Sequence, residues 1–140
     1  MRIFNVFFLF FCLLIFSCKK DKEDSPSSPA VDTALLDTEL KMRQKWDFDH
    51  SVLNNFVPAA SSDTIYGQAG DYFEFKADNY CYAFYGGLYD TVFYKVLSAS
   101  SFRFGGDTLS IATLTTSKFS FINDVKTDSS HYNNVISLSL

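Results

Sequence analysis

The stretch Ser101-Phe102-Arg103-Phe104-Gly105-Gly106-Asp107-Thr108-Leu109-Ser110-Ile111 is the clearest fold signal in this chain of 140 residues. Phe102 and Phe104 alternate with polar neighbours, which is the period of a strand with one buried face. The Gly-Gly-Asp sequence that follows favours a tight turn, because glycine adopts positive φ without strain. Alternation then resumes over residues 108–111. The stretch therefore predicts a β-hairpin.

The same alternation recurs on both sides of this hairpin. In residues 71–76 it predicts a strand with Phe73 and Phe75 facing inward, followed by a turn at 77–79. Residues 79–85 predict a strand with two apolar faces, closed by Gly86-Gly87. The other predicted strands cover residues 46–51, 64–66, 90–97, 118–121 and 135–140, with a turn at Asn123-Asp124.

One helix is predicted ahead of the strands. Residues 34–45 place Leu35, Leu36, Leu40 and Met42 close to one apolar stripe, and Asp32 or Thr33 can cap the N-terminus. Short antiparallel strands in sequential hairpins would leave unpaired edges in an open sheet, and closure removes those edges. The predicted fold is therefore all-β: a small antiparallel up-and-down barrel of about eight strands, preceded by this short N-terminal helix.

The chain begins with an apolar segment that ends at Cys18. Residues 3–17 carry no charged side chain, and they fall short of the roughly 20 residues that span a bilayer as a helix. They favour a signal peptide over residues 1–17, the alternative being an uncleaved anchor. The run Leu14-Ile15-Phe16-Ser17-Cys18 resembles the bacterial lipobox. That resemblance implies cleavage before Cys18, lipidation of its thiol with acyl chains such as palmitate, and residence on the bacterial outer membrane, facing the periplasm or the cell surface.

A flexible tether is predicted between the lipidated cysteine and the barrel. Residues 18–33 are charged and then rich in Pro and Ser, so they have little apolar surface to bury. The barrel domain is expected over residues 34–140. Its size suits one domain and excludes two.

Net charge and cysteine content limit which binding partners and which disulfides are expected. Arg2 is the one charged residue in positions 1–17, so of 12 basic and 16 acidic residues the processed chain keeps 11 and 16. An acidic balance without a basic patch predicts no nucleic-acid partner. Cys12 leaves with the signal peptide and Cys18 is lipidated, so Cys81 has no intramolecular partner. We expect Cys81 to be a small buried hydrophobic residue, the alternative being a reactive thiol.

The order of these elements resembles the bacterial lipocalin-like lipoproteins of the Bacteroidota type. The resemblance covers roughly residues 41–140 and depends on an early Trp46, the strand and turn at 73–79, a strand containing Tyr94, and the run Gly106-Asp107-Thr108-Leu109. Asn79 stands where that family has a turn glycine, and Gln44 stands where many lipocalins have the Gly of a Gly-x-Trp motif. The resemblance implies a barrel with Trp46 packed at its closed end.

The sequence offers little catalytic chemistry. It contains no Gly-x-Ser-x-Gly elbow, phosphate-binding loop, His-Glu-x-x-His or paired Cys motif. His50 and His131 are the only histidines and lie far apart, so no metal site or cofactor is predicted. Asp47 and Asp49 share a strand face beside His50, and they are the one hydrolytic alternative. Alternating polar residues on an exposed strand explain them equally, and we expect no enzyme activity.

Aromatic density is the remaining feature. Five rings, including Phe84, occur between Tyr80 and Tyr89 around Gly86-Gly87, which suggests an aromatic rim at one barrel mouth. We expect a monomer that binds a small apolar or amphipathic ligand without catalysis. The alternative is a module that binds or inhibits an envelope protein through the outside of the sheet. The predicted ligand-binding residues are Phe73, Phe75, Tyr82, Phe84, Phe93 and Phe104.

Overall fold

The computed structural model describes residues 32–140, and they form one helix followed by nine strands. The helix α1 covers Thr33–Met42. The strands are β1 (Lys45–Val57), β2 (Ser61–Tyr66), β3 (Tyr72–Phe75), β4 (Tyr80–Tyr85), β5 (Leu88–Ser98), β6 (Ser101–Phe104), β7 (Asp107–Leu114), β8 (Lys118–Lys126) and β9 (His131–Ser139).

Eight of these strands close into an antiparallel barrel. From β3 to β9 each strand pairs with the next along the chain, and β1 pairs with both β3 and β9. The remaining strand, β2, pairs only with β1. Because the barrel is closed, each of its eight strands is paired on both sides wherever its two neighbours run alongside it. The predicted fold class is confirmed, with β2 as an addition outside the closed ring.

The long strand β1 pairs with two strands, β3 and β2, along one of its edges. Its first residues, Lys45 to Asp47, pair with β3, whereas residues 50–55 pair with β2. Between them the Gly67 N–H donates to the Asp49 carbonyl at 2.8 Å, and the Phe48 N–H donates to the Asp71 carbonyl at 3.0 Å. The backbone at Gly67 lies so close to Phe48 that there is no space for a Cβ atom. This contact lets the chain pass from β2 to β3 without leaving the edge of β1.

Helix α1 closes one end of the barrel. It begins at the cap residue Asp32, whose carboxylate accepts from the N–H groups of Ala34 and Leu35, and it packs against β5 and β7. Met42, the last residue of the helix, and Trp46 are fully buried at this end, and the Trp46 indole N–H donates to the Met42 carbonyl at 3.1 Å. The same carbonyl, which has no partner within the helix, also accepts from the Gln44 N–H at 2.8 Å. Trp46 at the closed end agrees with the sequence-based expectation.

The core consists mainly of aromatic rings. Phe75, Phe102, Phe119 and Phe121 are essentially inaccessible to solvent, and neighbouring rings in this set lie 5.1 to 6.3 Å apart. Edge-to-face and tilted pairs at such distances stabilise a core beyond the burial of their surface. The half of the barrel beside α1 is therefore filled by side chains.

Several element bounds differ from the sequence-based prediction. The helix ends at Met42, three residues before the predicted end, because Lys45 already pairs with Glu74 in the sheet. The predicted turn at Asn123-Asp124 is wrong: both residues lie within β8, opposite Asn134 and Asn133, and the chain turns at residues 127–130. Pairing with β9 outweighs the local turn preference of these residues. The predicted turns at 77–79, 86–87 and 105–106 are confirmed.

The predicted signal peptide, Cys18 and nearly all of the predicted tether lie outside the described residues. Within the part of the chain that the structure describes, the one helix is too short to cross a bilayer.

Candidate functional site

The barrel end opposite α1 contains two adjoining cavities, which we call together the mouth cleft. The larger, of about 390 Å³, lies against β4, β5 and β6, and the smaller, of about 220 Å³, lies against β1, β2 and β9. Phe73 and Tyr85 line both. The other lining residues are Ala83, Leu88, Tyr89, Asp90, Val92 and Phe104 in the larger part, and Phe48, Ser51, Ile65, Asn134 and Ile136 in the smaller.

Strand alternation directs these side chains into the cleft. In β5 the buried Tyr94 and Val96 face the core, so Val92 and Asp90 at the same parity also face inward. In β4 the buried Cys81 and Ala83 mark the inner face, which Tyr85 shares. Core rings cover the inner positions at the α1 end of the barrel. The inner positions near the turn between β4 and β5 are not covered in this way. The cleft is therefore the unfilled continuation of the core.

Asp71 connects two loops at this end of the barrel. Its side chain is buried, and its carboxylate accepts from the N–H of Gln68 at 3.0 Å and from the N–H of Gly86 at 3.3 Å. The first bond shapes the turn between β2 and β3, and the second ties that turn to the hairpin between β4 and β5. This carboxylate thereby positions the hairpin that carries Tyr85 and Leu88.

The structure places two of the six predicted ligand-binding residues in the cleft. Phe73 and Phe104 line it, whereas Phe75 lies within the filled core, 1% exposed. The inward placement of Tyr82, Phe84 and Phe93 is wrong. Tyr82 and Phe84 alternate with the buried Cys81 and Ala83, and Phe93 precedes the buried Tyr94, so all three face outward.

Tyr82 has a polar contact on that outer side. Its hydroxyl donates to the Asp78 carboxylate at 2.9 Å, and this hydrogen bond raises the pKa of Tyr82. The pKa of Asp78 is lowered, first by the N–H of Tyr80 and then by the same Tyr82 hydroxyl. Hydrogen bonding to the ionised carboxylate explains the direction of the shift in Asp78. Tyr82 thus stabilises the turn between β3 and β4, away from the cleft.

The hypothesis of an aromatic rim is correct only in part, and some of the lining was missed. Tyr85 lines the cleft from the inner face, and Tyr89, which faces outward opposite Phe84, borders the larger cavity at its edge, whereas the other rings of that hypothesis face outward. Leu88, Asp90 and Val92 were not among the predicted site residues. The alternation of Val92, Tyr94 and Val96 is the signal that could have found them, because it assigns even positions of β5 to the inside. Both faces of β4 are apolar, so no such signal existed there.

Cys81 is an unpaired and fully buried cysteine in the described part of the chain. Burial raises the pKa of its thiol to about 12, and the Asp90 charge acts in the same direction. A thiol with this pKa stays protonated near neutral pH and is a poor nucleophile. The expectation of a structural Cys81 is confirmed.

The three residues of the hydrolytic alternative lie away from the cleft. Asp47 and Asp49 are exposed on β1, and Asp49 accepts from the Ser139 hydroxyl at 2.6 Å. His50 lies beside the exposed ring of Tyr66, with centroids 6.3 Å apart. No hydrogen bond joins any two of the three. Among residues 32–140 no group of three or more His, Cys, Asp or Glu side chains is arranged to hold a metal ion.

Comparisons with protein-family models, with curated proteins and with solved structures find no match. The resemblance to lipocalin-like lipoproteins therefore stays a prediction.

Proposed function

We propose that this protein is a lipid-anchored binding protein whose barrel takes a small apolar or amphipathic ligand into the mouth cleft, without catalysis. The observation that carries the proposal is the cleft itself, an unfilled aromatic cavity that continues a filled core. Tyr85 is 37% exposed and Leu88 is 75% exposed, although both belong to the inner side of the barrel. Apolar side chains left accessible in a concavity gain free energy when a ligand covers them.

The dimensions of the cleft suit this role. Its larger part, at about 390 Å³, falls within the range of roughly 300 to 1,000 Å³ that is usual for small-molecule sites. The lining combines many apolar groups with a few polar ones, which is also usual for such sites. A ligand there would contact Phe73, Tyr85 and Phe104.

A matched pair of tyrosine variants tests ligand binding. Tyr85 lines the cleft, whereas Tyr80 on the same strand faces outward, and their exposed fractions are 37% and 41%. We expect Tyr85→Ala to weaken binding of the neutral fluorophore N-phenyl-1-naphthylamine by about tenfold, which is the effect of losing one aromatic contact. Tyr80→Ala should leave binding unchanged. Equal effects of the two variants, or no binding by the wild type, would contradict the proposal.

The anchor is a separate part of the proposal and has its own test. Cells grown with an alkyne fatty acid should incorporate the label into the protein. Cys18→Ser should abolish the label, because this thiol is the one that the lipobox resemblance assigns for lipidation. Cys12→Ser is the matched control and should retain it. Label that survives in the Cys18→Ser variant would refute lipidation at this position.

An outer aromatic surface favours the second candidate, a module that binds an envelope protein. We call this surface, made of Tyr72, Tyr80, Tyr82, Phe84, Tyr89 and Phe93, the outer aromatic strip. Phe84 contacts Tyr89 at 4.6 Å between centroids, and Tyr80 contacts Phe93 at 5.9 Å. The Lys45 and Lys76 ammonium groups lie 3.9 and 4.7 Å from the ring centroids of Tyr72 and Tyr82. Aromatic side chains are enriched at protein interfaces, and in this strip several of them are exposed to solvent.

Site-specific crosslinking in cells separates this candidate from ligand binding. A photoreactive phenylalanine analogue in place of Phe93 should give a discrete protein adduct if the outer aromatic strip is an interface. The same analogue in place of the exposed Asp128 is the control. No adduct at position 93 would remove this candidate and leave the mouth cleft as the functional site.

A further inference from the structure

Asp90 is the one charged residue in the lining of the mouth cleft. The other side chains there are aromatic or aliphatic, except for the uncharged polar groups of Ser51 and Asn134. A ligand that fills the larger part of the cleft therefore meets apolar surface and a single carboxylate. This charge is the feature most able to distinguish between ligands of similar shape.

The fold fixes the direction of the Asp90 side chain. Asp90 lies directly opposite Ala83 in the β4–β5 pair, and opposite residues point to the same side of a sheet. Ala83 is only 7% exposed and marks the inner side. Because the facing residue has only a methyl group, the space in front of the Asp90 carboxylate remains open. That space belongs to the larger cavity.

The carboxylate of Asp90 has no cationic partner within the described chain. Residues 32–140 form three ion pairs between carboxylates and lysine or arginine, together with a His131–Asp124 contact, and none of the four includes Asp90. Its one side-chain hydrogen bond comes from the neighbouring N–H of Thr91, at 2.7 Å. A ligand that enters the cleft displaces water from this carboxylate, and desolvating an unpaired charge is costly. A cationic group on the ligand offsets that cost, whereas an anionic group adds repulsion.

The neighbouring rings favour the same charge. Phe73, Tyr85 and Phe104 line the cavity together with Asp90. The faces of aromatic rings carry partial negative charge and attract ammonium groups, most of all where water is excluded. Asp107 lies opposite Phe104 and so on the same side of the sheet, which adds a second negative charge at this end of the barrel. No lysine or arginine is among the lining residues.

We infer that the ligand of the mouth cleft is an amphipathic organic cation, with an amine or quaternary ammonium group held at Asp90 and an apolar part against Phe73, Tyr85 and Phe104. This inference rests on the proposed function, because it assigns a ligand class to the same cleft. It goes further in excluding fatty acids and other carboxylates as the preferred ligands.

Three probes of similar size and different charge test the inference. They are benzyltrimethylammonium, benzyl alcohol and phenylacetate, titrated by calorimetry into the full lipidated chain held in nanodiscs of an uncharged galactolipid. We expect the cation to bind about tenfold more tightly than the neutral probe, and the anion to bind least. The preference should shrink at high salt, because Asp90 is accessible to solvent.

Two asparagine variants complete the test. Asp90→Asn should weaken binding of the cation by about three- to tenfold and leave benzyl alcohol unchanged, because only a charge is lost. Asp128→Asn makes the same chemical change at an exposed turn position outside the cleft and should alter neither. If the neutral probe binds but the cation has no Asp90-dependent advantage, the inference is wrong and the proposed function stands. If no probe binds the wild type, the proposed function fails with it.

Discussion

Cys81 illustrates how burial changes the chemistry of a single residue. Its neighbours Tyr80 and Tyr82 face solvent, whereas the thiol itself points into the core and is fully buried. Burial makes the thiolate unfavourable and raises the pKa to about 12. The result is a cysteine that contributes packing and not reactivity.

This residue gives a prediction about labelling. At pH 8 the folded protein should not react with iodoacetamide at Cys81, and reaction should begin only when guanidinium unfolds the barrel. The measurement is mass spectrometry of the labelled chain across the unfolding transition. Rapid labelling of the folded protein would show that the thiol is accessible.

The same pKa shift predicts a dependence of stability on pH. The pKa of the thiol is usually 9.0, and burial raises it to about 12 in the folded protein. The unfolded chain therefore loses this proton at a lower pH than the folded protein does. The contribution of Cys81 to the free energy of unfolding is therefore complete below about pH 9 and declines as the pH rises towards 12. Denaturant titrations at pH 8 and pH 10.5 should show a smaller decline for Cys81→Ala than for the wild type. Equal declines in the free energy of unfolding of the two proteins would contradict the assignment of this pH dependence to Cys81.

At the scale of elements, the passage from β2 to β3 decides the shape of the mouth. The two strands share one edge of β1, and they can do so because Gly67 lies against the backbone of Phe48. Asp71 then ties this segment to the N–H of Gly86. The position of the β4–β5 hairpin, and with it the rings that line the cleft, depends on these contacts.

A pair of glycine variants tests this arrangement. A Cβ at position 67 would overlap the Phe48 carbonyl, and backbone cannot move aside as a flexible side chain can. We expect Gly67→Ala to lower the free energy of unfolding by about 1 to 3 kcal/mol, as overpacking does. Gly106 has open space around its Cα and no positive φ, so Gly106→Ala should change stability by less than about 0.5 kcal/mol. Urea denaturation measures both, and similar effects would argue against the close approach.

At the scale of the whole molecule, the sequence predicted the barrel, the short helix that precedes it and the turns that carry glycine. The alternation at 101–111 was sufficient for β6 and β7, because only one face there is apolar. It was not sufficient for β4, where Tyr80, Tyr82 and Phe84 are as apolar as the residues on the other face. Which face points inward is set by pairing with β3 and β5, a long-range property that local composition does not contain.

The same limit applies to the site. Phe73 and Phe104 were placed from the alternation in their own strands, whereas Asp90 was missed. A carboxylate on a strand is usually interpreted as facing solvent. Asp90 faces inward because it lies at the same alternation as the buried Tyr94 and Val96. The boundary between the filled core and the open cleft depends on how rings from six strands pack together.

Native mass spectrometry of the protein purified from its own membrane tests the central claim most directly. Denaturing spectra give the mass of the chain with any covalent lipid, and native spectra add what the folded barrel retains without a covalent bond. We predict a single small molecule on the wild type and on Tyr80→Ala, and its loss from Tyr85→Ala. Wild-type protein that is folded but retains no small molecule, or a retained molecule that Tyr85→Ala leaves in place, would contradict ligand binding in the mouth cleft.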